Sequence, residues 1–284
     1  MLRSRLTVRL AWANAAAALQ LTSLSWRMKQ REPFFLVSSA WLATVAVLPM
    51  ALAAIALVGP GAMHIQTFVE LAGTDNYMAY VTIGATALIW STQTGANVGF
   101  VLEAQRFEGT LGSIWSTPTY LLVRVAGLGA SGMLVGIART LIAFGVAWAI
   151  LRFPLSIDPL ALIGVLASST FAVAAFGFIW AGIVLRARAG MMLVQTLLVG
   201  MGILAGPAYP TTVLPDWAQV AGHLLPPTWM IRGLRATLVF NDASAAWVSV
   251  AALLGLGLVF GVCGIWLFRR FDRDARQRGH LEAF

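Results

Sequence analysis

With 284 residues, 59% of them hydrophobic and only 11% charged, and a mean hydropathy of +0.82, the chain is too apolar for a water-soluble fold, since soluble domains carry about 25% charged residues. The formal net charge of +8 comes from arginines dispersed along the chain without any nucleic-acid-binding motif, so no nucleic-acid partner is expected. A single cysteine, Cys263, rules out an intrachain disulfide and reads as a packing residue of the last apolar stretch.

The first 32 residues form an amphipathic segment. Leu6, Leu10, Ala13, Ala17, Leu21, Leu24 and Met28 follow helical spacing, with Arg5, Arg9, Arg27 and Arg31 about a quarter-turn away. A soluble surface helix would look similar but has no soluble core to pack on here, so this segment is expected to lie in the membrane interface, leucines in the acyl region and arginines at the headgroups of membrane lipids. Glu32-Pro33 then turns the chain inward.

Six stretches are long and apolar enough to span a bilayer: roughly 34–58, 78–102, 121–151, 160–185, 191–208 and 245–268. The first is far longer than a signal-peptide core and is expected to remain as an uncleaved anchor. The expected class is therefore an all-α integral membrane protein with six transmembrane helices. The segments are an interfacial helix over 1–32, a transmembrane domain over 33–268 and a basic tail over 269–284.

Orientation follows from the basic residues. Counting Arg124, at the start of span three, with the connection before it, 15 of the 19 lie in the N-terminal segment, the connections after spans two and four, and the tail; Arg152, Arg232 and Arg235 fall on the opposite side, and Arg139 within a span. The positive-inside rule then places both termini in the cytoplasm.

Span two carries a polar face of Thr82, Thr86, Gln93 and Asn97, which either lines a route or hydrogen-bonds to neighbouring helices. It leads into the one strongly polar island between long apolar runs, residues 103–118. Read as a short helix over 105–117, the island sets Phe107, Leu111, Ile114 and Trp115 along one stripe, on a segment too short and polar to cross a bilayer. Such a stripe either docks to a partner outside the membrane or rests on lipid headgroups. Thr117-Pro118 restarts a helix, Thr as N-cap and Pro at the first helical position.

Arg139, mid-way through span three, is expected to face a polar partner or water, because a lipid-facing arginine costs on the order of 3 kcal/mol to insert. Glu103, Asn97, Gln93 or a carbonyl of a broken helix are its candidate partners, and both a structural and a substrate-contacting role are open. Glycine pairs one turn apart recur in four spans, Gly95/Gly99, Gly132/Gly136, Gly202/Gly206 and Gly257/Gly261, suited to packing within the subunit or at a dimer seam.

Between spans five and six, Gly206-Pro207-Ala208-Tyr209-Pro210 breaks a helix, Leu214-Pro215-Asp216-Trp217 starts a second and Pro226-Pro227-Thr228-Trp229 a third, carrying Arg232 and Arg235. These are re-entrant signals, with prolines where a missing donor costs nothing and tryptophans suited to the interface. A small helical cap on the external face over 206–240 is expected.

Other classes fit poorly. No Asp or Glu lies in mid-span for ion coupling. His64, His223 and His280 fall in loops or the tail, no metal-ligand or nucleophile-base pattern is present, and Ser168-Ser169-Thr170 reads as helix packing. No metal site and no catalytic residue are expected. A non-transporting membrane scaffold remains as the alternative to a transporter.

The order of interfacial helix, six spans, cytoplasmic helix after span two and Pro-rich external hairpin resembles the membrane permease of type-2 ATP-binding-cassette (ABC) exporters, the drug, lipid and polysaccharide export group. Glu108-Gly109-Thr110-Leu111 and Thr117-Pro118 match that family's coupling-helix pattern. Gly206, Pro210, Leu214-Pro215, Trp217, Pro226, Thr228 and Arg235 stand at its spacing for the external re-entrant helices. The chain departs from the family at Phe107, where a charged residue is usual, and at Gly112.

The resemblance implies an ATPase-coupling set of Glu103, Arg106, Phe107, Glu108, Gly109, Thr110, Leu111, Ile114, Trp115 and Pro118, and an external gate built from the hairpin residues just named. It also implies two ABC ATPase subunits per complex and a second copy of this permease or a homologous one. The sequence holds no phosphate-binding Gly-x-x-x-x-Gly-Lys-Ser/Thr, its one lysine, Lys29, being followed by Gln30. ATP and magnesium are thus expected on the partner ATPase and no cofactor on this chain. The implied cargo is amphipathic, a drug, antimicrobial compound or lipid-like molecule, or alternatively a lipid-linked glycan. The implied location is the cytoplasmic membrane of a bacterium, to which the near-replacement of lysine by arginine also points.

Overall fold

The computed structural model describes residues 66–107, 121–186 and 190–278, together with Ser23 and Trp41. Apart from those two residues, the interfacial helix expected over 1–32 and the first span expected over 34–58 lie outside the described residues, as do His64, island residues 108–118 and tail residues 279–284, His280 among them.

The described chain folds as α1 (Gln66–Ala72), α2 (Tyr77–Phe107), α3 (Leu121–Leu151), α4 (Pro159–Arg186), α5 (Gly190–Leu204), a 3-10 turn (Thr211–Val213), α6 (Asp216–His223), α7 (Pro226–Leu238) and α8 (Ala243–Arg278). No strand occurs among the described residues.

Side-chain caps set three of the helix starts. Asn76 Oδ1 accepts the N–H of Ala79 (3.1 Å) at α2. Asp158 Oδ1 accepts those of Leu160 (3.1 Å) and Ala161 (3.2 Å) at α4, with Pro159 in the first helical position. Asp242 Oδ1 accepts that of Ala245 (3.1 Å) at α8. Each satisfies donors that a helix N-terminus leaves without a partner.

These starts share one end of the bundle. The Asn76 amide donates to Pro154 O (3.1 Å) in the α3–α4 connection, and the Ser156 N–H donates to Leu238 O (3.2 Å) at the end of α7. The long helices therefore alternate in direction, and the hairpin closes the end where α2, α4 and α8 begin.

Among the described residues three stretches are long and apolar enough to cross a membrane: Gly132–Leu151, Pro159–Val184 and Ala243–Arg270, with mean hydropathies of 2.0, 2.1 and 2.4. Met192–Leu204 is a shorter apolar helix. α2, 31 residues long, is more polar through Thr82, Thr86, Ser91, Thr92, Gln93 and Thr94.

Two helices run further than the hydrophobic pattern indicated. α2 has no break near residue 102 and continues to Phe107, so Glu103, Arg106 and Phe107 share a rod with span two. α8 continues to Arg278, taking most of the basic tail into the last helix. Arg270 lies 5.5 Å from the Trp266 ring, a stacking contact that holds the charge along the helix surface.

Glycines set the closest helix approaches. A Cβ on Gly257 of α8 would stand 2.6 Å from the Phe171 ring and 3.2 Å from Ala172 Cα of α4, and one on Gly264 2.9 Å from Phe178 Cβ. Gly95 and Gly99 of α2 face Trp180 (3.5 Å) and Val184 (3.2 Å), Gly136 of α3 faces Thr94 (3.0 Å), and Gly202 of α5 faces Leu88 (3.4 Å). These glycines let the chain's own helices approach one another closely.

Cys263 departs from the expectation of a packed thiol. It is exposed, on the same outward face of α8 as Val259, Val262 and Trp266, the helix turning Gly257 and Gly264 inward instead.

Two cores result. One gathers Ile83 and Trp90 of α2, Val165 and Val173 of α4, Met230, Ile231 and Leu234 of α7, and Val250 and Leu253 of α8. The other, toward the opposite end of α4, holds Trp180, Val184, Val194, Met201 and Phe268.

Candidate functional site

The hairpin after α5 begins as a helix that stops short. Gly206 adopts φ +63°, a left-handed conformation that costs an L side chain and suits glycine. A Cβ there would also meet Tyr209 O and Thr211 Cγ2 at 2.8 Å each.

Three carbonyls around this break, those of Ile203, Gly206 and Pro207, accept side-chain donors, and a fourth, that of Leu204, packs closely on α6. The Tyr209 hydroxyl donates to Ile203 O. Leu204 O sits against Gly222 of α6, where a Cβ would be only 2.8 Å away. The Arg235 guanidinium takes the next two, Nη1 donating to Gly206 O (3.1 Å) and Nη2 to Pro207 O (2.6 Å). Buried backbone acceptors are costly to leave open, about 1–3 kcal/mol each, which explains why the break coincides with these partners.

α6 and α7 each start at proline. Pro215 precedes α6, its carbonyl accepting the N–H groups of Ala218 (2.8 Å) and Gln219 (3.0 Å), and Pro226-Pro227 open α7. Trp229 Nε1 donates to His223 O (2.7 Å) and joins the two helices, while exposed Arg232 stacks 5.4 Å from the Trp229 ring. Pro215 and Trp217 are exposed; Gly206, Pro210, Pro226, Thr228 and Arg235 are buried.

α7 is more than a cap. Apart from half-buried Trp229 and exposed Arg232, all its residues are buried, and Met230, Ile231 and Leu234 sit in the main core between α2, α4 and α8. The close approach needs Gly233, where a Cβ would stand 3.0 Å from Val165 Cγ1 and 3.1 Å from Ser249 Cβ. The hairpin thus folds back into the bundle, its last helix wedged among the long ones.

Arg235 is the charged residue on the buried side of that wedge, 5% exposed. Besides the two carbonyls beyond α5, its Nε and Nη2 donate to Tyr80 O (3.2 Å each), and its guanidinium carbon lies 3.4 Å from the Tyr80 ring centroid. Gly84, one turn on, leaves the space in which Pro207 and the guanidinium sit. Burial pulls the Arg235 pKa down to about 10, with Tyr80 offsetting part of the shift, so the group is still charged at neutral pH.

Residues 60–266 match the sequence model of a family described as ABC-2 family transporter protein, a stretch that takes in the polar island, the hairpin and the first two-thirds of α8. The chain belongs to the ABC-2 transporter family. No curated protein matches it. As an ABC-2 permease, a membrane component of an ABC transporter, it belongs to a class that works with an ABC ATPase.

In this permease the expected hairpin residues come together only in part. Gly206 and Arg235 are bonded directly, Pro210 and Pro226 shape the turns, and Trp217 stands apart on the outer face of α6. Of the coupling set, Glu103 is buried on α2, Arg106 and Phe107 continue the same helix, and Glu108, Gly109, Thr110, Leu111, Ile114, Trp115 and Pro118 lie outside the described residues. Gln93 is exposed, Asn97 follows one turn later on α2, and Arg139 is half-buried on α3.

Tyr80, Gly84 and Gly222 were absent from the sequence-based site. A buried arginine without an acid nearby in sequence, on a helix that follows a Gly-Pro break, was the available signal, since such a cation seeks open carbonyls.

Proposed function

We propose that this ABC-2 permease is the transmembrane part of an ATP-driven exporter in the cytoplasmic membrane of a bacterium, with both termini cytoplasmic and the hairpin outside. Two permeases and two ATPase subunits make the working complex, and the cargo is an amphipathic molecule such as a drug, an antimicrobial compound or a lipid-like substance. ATP and magnesium bind the ATPase subunits.

The observation that carries this reading is the unbroken course of α2, from the wedged hairpin at one end to the first residues of the coupling island at the other. Tyr77–Phe107 covers 31 residues, about 45 Å at 1.5 Å per residue, enough to cross a bilayer and emerge. A push on the island reaches the hairpin through a single helix. The stripe Phe107, Leu111, Ile114 and Trp115 then inserts into a groove of the ATPase, with Arg106 and Glu108 at the rim, because apolar anchors carry most of an interface's energy and rim charges set orientation.

The test is a Leu111→Asp, Trp115→Asp double mutant. It is expected to insert stably but to lose its ATPase on co-purification, or to keep it without export. Retention of both full association and export would overturn the reading.

A further inference from the structure

Besides its contact with the Tyr80 side chain, Arg235 makes four hydrogen bonds to backbone carbonyls. They join segments distant in sequence: the first turn of α2 at Tyr80, and the broken end of α5 at Gly206 and Pro207. The guanidinium is a rigid planar fork with fixed donor directions. An N–H···O bond tolerates only a few tenths of an ångström around its optimum of about 2.9 Å. Sliding α2 against α5 by about an ångström therefore breaks the set, and the Gly206 and Pro207 carbonyls, which lie beyond the last helical turn of α5, lose in a buried place the donors that Arg235 gives them. The set is whole or broken, with little between.

α2 is able to deliver such a slide. It runs as one unbroken α-helix from Tyr77 to Phe107 and contains no proline, the residue that removes a helical hydrogen bond and kinks the rod. Tyr80 and Glu103 are about 35 Å apart along it at 1.5 Å per residue, so displacement at the Glu103 end moves the Tyr80 turn with it. Gly84 keeps that turn in contact with Pro207.

We propose that Arg235 is the positioning residue that couples α2 to the external hairpin, its carbonyl bonds closing and releasing the Gly206–Pro207 break in step with the ATPase; this rests on the exporter reading above. The residue acts as a latch. Arg232, one turn earlier and exposed, has no share in it.

The experiment uses the permease–ATPase complex in lipid nanodiscs, with ATP and a non-hydrolysable ATP analogue as the probes, followed by amide hydrogen exchange. In the wild type the analogue is expected to change exchange over 77–84 and 205–210 together. Arg235→Lys keeps a charge but replaces the fork with one nitrogen, which cannot serve Tyr80, Gly206 and Pro207 at once. That variant is expected to remain bound to the ATPase while the nucleotide-dependent exchange difference over 205–240 falls by about tenfold or more. A full hairpin response in Arg235→Lys would overturn the latch and leave the exporter reading intact. Should Arg235→Lys not assemble, the wild type alone decides: a hairpin that responds while the Tyr80 turn does not would equally overturn it. Absence of ATPase binding or of any nucleotide response in the wild type would overturn the exporter reading, and the latch with it.

Discussion

Gly84 of α2 and Pro207 beyond α5 meet at the backbone: a Cβ on the glycine would overlap the proline's carbonyl oxygen and stand 2.8 Å from its carbon and 2.5 Å from Arg235 Nη2. A backbone obstacle cannot swing aside as a side-chain tip does. The contact therefore sets how near the broken helix lies to α2.

Gly84→Ala is accordingly expected to destabilise the fold by about 1–3 kcal/mol, the usual range for overpacking. Gly202→Ala is the comparison. Its Cβ would meet the flexible tip of Leu88 at 3.4 Å, and the gain in helix propensity over glycine, up to about 1 kcal/mol, makes it neutral or stabilising. Melting temperatures in detergent check the pair; equal effects would show that the Gly84 contact is not close.

The start of α8 gives a pH dependence. The Ser244 hydroxyl (2.7 Å) and the Ala245 N–H (3.1 Å) bond to Asp242 Oδ1 and hold its carboxyl below the ordinary range. Because the folded value is depressed, the stabilisation is fully present above the unfolded carboxylate value of about 3.9 and is lost as pH falls through the folded value. Asp242→Ala should lower the melting temperature at neutral pH, and the gap should narrow below about pH 4. Asp242→Asn, a cap without a charge, should show a smaller gap with little pH dependence.

Topology is open to direct labelling. In a Cys263→Ala background, a membrane-impermeant thiol reagent added to intact cells is expected to modify Asp216→Cys in the hairpin and to leave Gln277→Cys at the end of α8 untouched. Removal of Cys263 matters because it is exposed. Labelling of Gln277→Cys from outside would reverse the orientation.

Much of the architecture is legible in local chemistry. Pro210, Pro215 and Pro226 mark the turns and helix starts of the hairpin, because a residue without an N–H fits only there, and Gly206 marks the break that needs φ +63°. The depth of α7 is not legible that way. Its sequence of Pro, Thr, Arg and Gly among apolar residues reads as an interfacial cap, and only its neighbours α2, α4 and α8 turn it into a wedge.

The sequence by itself determined the membrane setting, the apolar stretches, the positions where helices break and the family, since these follow from composition, run length and residues with restricted backbones. The tertiary structure alone decided which faces meet. In a membrane chain the lipid side of a helix is as apolar as its protein side, so periodicity does not separate Cys263, which faces outward, from Gly257 and Gly264, which face α4. Nor can a local pattern pair Arg235 with Tyr80, 155 residues away; that bond exists because the broken end of α5, with open carbonyls at Gly206 and Pro207, arrives beside the Tyr80 carbonyl in the first turn of α2.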